Sequence, residues 1–308
     1  GVKDLDTYRW GTLQILTRAN AGGWLPVKNY TTNVYPISPE DLEMYGAEYI
    51  RGHFEPKKNP CWACQLNHCH IMRITQGPYA GEVVEEPEYE GFAAWGPVTG
   101  QTNVARTMVI SNDVDRLGFD TNETGWVVGM VMECYEKGIL TLEDTDGLDM
   151  RWGNADATRT LLRRIAYRQG FGDILAEGVM RAAARLGGEV PSMAVHTMKG
   201  NSPRGHDHRA RWSELFDTCV SNTGTIETSG GNRQEFGLPP NDAPFSPDDV
   251  VAATAKTKGS MQFEDSLGVC RFNTRTNMKL LVAAVRASTG WDLTFDEAME
   301  SGRRAVNL

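Results

Sequence analysis

The sequence predicts a mainly α protein of two helical domains, with a short β-hairpin after a cysteine-rich loop. Helix-start signals of one kind recur along the chain, apolar residues repeat at helical spacing near its middle, and a single stretch alternates as paired strands do. With 308 residues the chain can bury one large core or two, and the expected division is 1–194 and 195–308.

Taken in order, Ser38, Pro39 and Asp41 open the first clear helix. The serine offers an oxygen to the free N–H groups of the first turn, and the acid sits at the positive end of the helix dipole. After the cysteines, "HIMRITQGPYAGEVVEE" alternates weakly and carries Gly77 and Pro78 at its bend, the mark of a hairpin. In "GWVVGMVMECYEK", Trp126, Val127, Met130, Val131 and Cys134 share one helical stripe that Gly138 ends, so Cys134 is assigned to the core. Helices are expected at 157–169 and 173–186. The Gly, Pro and Asn-rich segment 229–247 reads as a long loop of the kind that covers a site. Ser246, Pro247 and Asp249 then open a helix over 247–264, another is expected at 277–288, and Thr294 with Glu297 opens the last, 294–306.

Hydrophobic residues make up 40% of the sequence and charged ones 23%, with no apolar run of membrane-spanning length. The net charge of -9 argues against nucleic acid and anionic membranes as partners, because both require basic surface that releases counterions. Small molecules and proteins remain. The six cysteines are too few and too clustered for a disulfide scaffold, and their clustering points to a metal in a reducing compartment, the cytoplasm.

Three of those cysteines stand in "NPCWACQLNHCHIM", where Cys61, Cys64 and Cys69 let one loop present three thiolates to one centre. A four-thiolate site needs one more, and Cys270, beside the turn-forming Gly268 in "FEDSLGVC", suits it better than Cys219. An iron–sulfur cluster commonly has this arrangement of one loop and a distant thiolate. Zinc is the alternative, with His68 or His70 completing a tetrahedron, although both histidines read more simply as neighbours of the site or as surface residues. His206, Asp207 and His208 read as a solvated polar loop.

Four features, in order, resemble the tungsten-containing aldehyde:ferredoxin oxidoreductase family. They are the CxxC-led loop, "PEYE" at 87–90, "DRLGF" at 115–119 and "DSLGVC" at 265–270. "LPVKNY" at 25–30, "RWGN" at 151–154 and "GFGDILAEG" at 170–178 are similar as well. The resemblance implies tungsten, or less often molybdenum, held by two pterins. One pterin would lie at Asp115, Leu117, Gly118 and Phe119, and the other at Asp265, Leu267, Gly268 and Val269. It also implies a 4Fe-4S cluster on Cys61, Cys64, Cys69 and Cys270. Each Asp would accept hydrogen bonds from pterin N–H groups, and each Gly would leave room for close approach.

The implied reaction oxidises an aldehyde to a carboxylate and passes electrons through the cluster to ferredoxin or an iron–sulfur subunit. The same cofactor run in reverse, reducing an unsaturated or aromatic acyl thioester, is the alternative chemistry. A cluster-only electron-transfer module or a zinc-stabilised interaction module is the alternative of another class. The resemblance further places the family's N-terminal β domain outside these residues, as an additional partner of the chain.

Two departures stand out. The loop has four residues, Gln65 to His68, where the family usually has one fewer, so it must bulge. Glu227 falls where the family carries a histidine beside the metal, while Glu90, the last residue of "PEYE", matches its active-site glutamate. Glu90 and Glu227 are therefore the catalytic candidates, as an acid and base pair.

Overall fold

A computed structural model describes residues 6–221, 224, 232–240, 243–274 and 277–308. Among these the chain is mainly helical, with sixteen α-helices and one small antiparallel sheet. None of the described helices is long and apolar enough to cross a membrane.

The chain forms two compact units, Gly1–Asp207 and His208–Leu308. Residues 195–207 belong with the first unit because its side chains take up their backbone groups. Glu123 accepts from the Ser202 N–H at 2.7 Å, and the Trp126 indole donates to the Pro203 carbonyl at 2.7 Å.

Two cores fill the first unit. One gathers the apolar faces of the helices Val104–Leu117, Thr121–Glu136, Ala155–Ala166 and Val179–Leu186, with Trp95, Val128, Met130, Leu161 and Leu162 among its buried members. Cys134 lies in this core at 0% exposure, as its place on the apolar stripe predicts. The other core joins Leu13, Leu16, Ile50, Met72, Val84, Phe92 and Met108. It packs the sheet against the helices Ile15–Ala21, Ala47–His53 and Tyr89–Ala93.

The sheet has three strands, β1 (Lys57–Lys58), β2 (His70–Arg73) and β3 (Val83–Glu85), in that order. The expected hairpin is the β2–β3 pair, in register Met72↔Val84. β1, which the sequence reading lacks, pairs with β2 through Lys58↔His70. Two lysines carry no alternation to read, and only the partner strand makes them extended. The consequence is that the cysteine loop is itself a hairpin loop, closed by the Asn59 N–H on the Cys69 carbonyl at 2.9 Å.

The helix expected over 173–186 is two, Phe171–Leu175 and Val179–Leu186, with Glu123 accepting from the Val179 N–H at the second start. In the second unit the helix expected over 247–264 likewise divides, into Pro247–Thr257 and Ser260–Ser266. Gly259 and Gly302 explain that break. A methyl added at Gly259 would come within 2.3 Å of the Arg303 nitrogen, so the backbones there approach too closely for side chains. Around this crossing Phe263, Met278, Leu281, Val282, Ala298 and Met299 form the second unit's core.

Candidate functional site

The Asn59–Cys69 hairpin loop presents Cys61, Cys64 and Cys69, all free thiols, with Cys61 exposed and the other two half-buried. A turn brings the first two together, the Cys64 N–H donating to the Cys61 carbonyl at 3.1 Å. Ala63 and Asn67 take φ of +56° and +49°. Asn67 lies within the four-residue stretch that must bulge, and asparagine is among the side chains that tolerate this left-handed region.

The Cys69 thiol is pushed up to about 12, first by burial and then by the negative neighbours Glu88 and Cys61, the latter within hydrogen-bonding reach. Crowded sulfurs among carboxylates resist ionising together. A positively charged centre between them removes that resistance, so the donor set fits a thiolate-bound metal or cluster. His68, Cys69 and Glu88 also place one ligand atom each within 4.8 Å of one another, a geometry that a single ion such as zinc could share.

The loop is braced from below. Arg51 makes a two-pronged pair with Glu86, both bonds 2.8 Å, and donates to the His68 carbonyl at 2.9 Å. His70 approaches the same carbonyl at 2.7 Å. Glu86, His68 and His70 are all buried.

"PEYE" links this loop to a second group of residues. Glu88, the N-cap of the helix Tyr89–Ala93, accepts from Thr12 with one oxygen and faces Cys69 with the other, 3.9 Å from the sulfur. Glu90, in the first turn of that helix, points elsewhere. Its Oε1 accepts from Arg204 Nε at 3.0 Å and its Oε2 from the Gly205 N–H at 2.8 Å, with His206 Nε2 3.7 Å from Oε1.

The 202–207 segment that supplies these partners is fastened along its backbone. Tyr89 donates to the Gly205 carbonyl at 2.7 Å, Tyr30 donates to the His206 carbonyl, and the Asp207 N–H donates to the Trp24 carbonyl at 2.8 Å. Rings of Trp24 and Tyr89 lie 5.1 Å and 5.2 Å from that of His206. The expectation of a solvated polar loop is thereby corrected, since His206, Asp207 and His208 are buried at 7%, 1% and 7% exposure. Their polar composition misled because the aromatic residues that cover His206 lie far away in sequence.

The two DxxG motifs fold alike. Gly118 ends the helix Val104–Leu117 at φ +76° with its N–H on the Asp115 carbonyl at 3.1 Å, and Gly268 repeats this at +65° and 2.9 Å on Asp265. A helix end explains each glycine locally. Open space within 4 Å of both would also admit a flat ligand. The aspartates differ. The Asp115 carboxylate accepts no hydrogen bond from any described residue, and burial followed by the charge of Glu85 raises its pKa. Asp265 is instead paired with Arg271, Nε to Oδ1 at 3.2 Å and Nη2 to Oδ2 at 2.6 Å. Cys270, exposed, sits between Gly268 and the short helix Arg271–Thr274 of the second unit. Glu227 lies outside the described residues.

Sequence reasoning brought forward the cysteines, Glu90 and both turns, passed over Glu88 and Arg204, and read the buried His206 as solvated. Glu88 stands in "PEYE", two residues before Glu90. Arg204 is 114 residues from its partner and carried no local signal.

The family model described as "Aldehyde ferredoxin oxidoreductase, domains 2 & 3" matches residues 2–308. The chain is 30% identical to the tungsten-containing aldehyde ferredoxin oxidoreductase of Pyrococcus furiosus, over 97% of this chain and 48% of that protein. It is 28% identical to the Thermococcus kodakarensis protein of the same name, again over 97% and 48%. With an aliphatic sulfonate oxidoreductase, WOR-like subunit, of Pyrococcus furiosus it shares 31% identity over 80% of this chain and 38% of that one. The chain thus spans about half the length of the aldehyde oxidoreductases that it matches. Among solved structures, the active site complex BamBC of benzoyl coenzyme A reductase, bound to 1,5-dienoyl-CoA, superposes with a TM-score of 0.70 at 17% identity. That match covers 90% of this chain and 47% of the other, a likeness of fold.

Proposed function

The chain belongs to the aldehyde ferredoxin oxidoreductase family, and from that membership we propose that it is the helical part of a tungstopterin enzyme that oxidises an aldehyde to a carboxylate. The observation that carries the reading is the match over residues 2–308, together with a hairpin loop that holds three free thiols beside "PEYE".

In this reading Cys61, Cys64, Cys69 and Cys270 hold a 4Fe-4S cluster. Asp115 and Asp265 accept from the N–H groups of two pterins, with Leu117, Gly118, Phe119, Leu267, Gly268 and Val269 forming the turns against which they lie. When bound, the tungsten pterin would supply the two-electron acceptor and the cluster a one-electron route to ferredoxin or an iron–sulfur subunit.

Aldehyde and water together yield carboxylate, two electrons and protons, so the chain must provide a proton acceptor near the carbonyl carbon. Glu90 is suited to it: two donors fix its carboxylate, and a buried imidazole lies 3.7 Å away to take the proton onward. Arg204 holds Glu90 in one orientation. Glu227 is the second acid of the proposed pair.

The test uses the full-length protein purified without oxygen, analysed for tungsten, molybdenum, iron and zinc, and assayed with a viologen dye. Aldehyde-dependent dye reduction by protein containing tungsten and iron is the expected result. Dye oxidation that requires an acyl thioester, with no aldehyde activity, would assign the reductive chemistry instead. Iron without tungsten would leave an electron carrier, and zinc alone a structural module.

A further inference from the structure

We propose that His68 donates an N–H···S hydrogen bond to Cys69, and that His68 and Glu88 act on that sulfur in opposite senses to set the reduction potential of the centre it binds. This rests on the proposed function, specifically on Cys69 being a cluster ligand.

Three atoms form a small triangle. His68 Nδ1 lies 3.6 Å from Cys69 Sγ and 3.7 Å from Glu88 Oε1, and that oxygen lies 3.9 Å from the sulfur. A sulfur bound to metal is a thiolate with no proton to give, so the imidazole N–H is the donor. A donor to a ligand sulfur stabilises the more negative, reduced form of a cluster and raises its potential. A carboxylate at similar distance does the reverse, because its negative charge disfavours added electrons.

The placement of His68 is built in. The ring is buried, with the side chain 8% exposed. Gly11 backs it at φ +58°, where an added methyl would come within 2.9 Å of Nδ1. Its carbonyl is held by Arg51, itself locked to the buried Glu86, so both ring and backbone are fixed relative to the sulfur. Glu88 is more open, with its side chain 46% exposed, so solvent weakens its charge without removing it.

The test compares His68→Phe, His68→Gln and Glu88→Gln in the full-length protein purified without oxygen, by iron and zinc content and by redox titration followed by electron paramagnetic resonance. The expected result is unchanged iron with shifts of opposite sign. His68→Phe should lower the ratio of reduced to oxidised cluster at a fixed potential by about tenfold, equivalent to about 59 mV for a one-electron couple. His68→Gln, which keeps an N–H donor, should recover part of that shift, and Glu88→Gln should move the potential upward. Unmoved potentials with the cluster intact, or shifts of one sign in both residues, would overturn the inference and leave the cluster reading standing. Loss of iron in both His68 variants would make His68 a ligand and overturn it too. Zinc without iron in the unmodified protein would overturn the cluster reading and this inference together.

Discussion

Glu90 receives a guanidinium and a backbone N–H, one on each oxygen, and so its carboxylate has a single orientation. Glu90→Gln keeps the shape and one of the two acceptor oxygens, sets an NH2 that cannot accept against the other donor, and removes the ability to take a proton. In the viologen assay it should lower aldehyde turnover by about 10²–10⁴-fold with the metal content intact, the usual contribution of a positioned base; turnover within a few-fold of the parent would remove Glu90 from the chemistry. The cysteines divide in the same residue-by-residue way. Cys69→Ser and Cys270→Ser should each lower bound iron, whereas Cys134→Ala, in the core at 0% exposure, should cost stability and leave iron unchanged. Iron retained in Cys270→Ser would mean that the fourth ligand lies elsewhere. The three close cysteines were legible because their spacing is local. Arg204 and His206 were not, since nothing in "SPRGHDH" says that Tyr30, Tyr89 and Trp126 will fasten its backbone.

At the scale of elements, the caps read most clearly. Ser38, Ser246 and Thr294 each accept from the N–H three residues on, and Thr294 with Glu297 completes a capping box. Thr294→Ala should destabilise the second unit by about 1 kcal/mol in denaturant unfolding at neutral pH. Hydrogen bonds from the Thr294 N–H and hydroxyl hold the Glu297 carboxyl below its usual value. Its contribution is therefore complete above the unfolded carboxylate range and is lost as pH falls through the lowered folded value. The gap between Thr294→Ala and the parent should accordingly narrow in acid; an equal gap at pH 7 and pH 3 would contradict the box. Breaks inside helices were not legible, because the apolar period runs on across Gly259. Only the approach of Gly302 from the last helix stops it there, and Gly302→Ala should cost about 3 kcal/mol, since its methyl would fall within 1.8 Å of the Gly259 carbonyl oxygen. β1 was hidden for a similar reason, two lysines being extended only because β2 lies alongside.

For the whole molecule, the first unit encloses two apolar clusters and the second unit one of its own, among the described residues. Leu161→Ala in the first and Met299→Ala in the second should each cost about 2–5 kcal/mol, the range for emptying a buried site. In scanning calorimetry each should lower a different transition; one transition lowered equally by both would mean that the units unfold together. The sequence by itself determined the helical class, the helix starts at Ser38, Ser246 and Thr294, the core position of Cys134, the clustering of three cysteines in one loop and the family, because each rests on neighbouring residues or on a short ordered motif. Tertiary structure alone decided that a third strand turns the cysteine loop into a hairpin, that Glu88 faces the sulfur while Glu90 turns away, and that Arg204, 114 residues distant, meets Glu90. Those contacts depend on how separate cores bring remote segments together, and local periodicity and spacing do not record that.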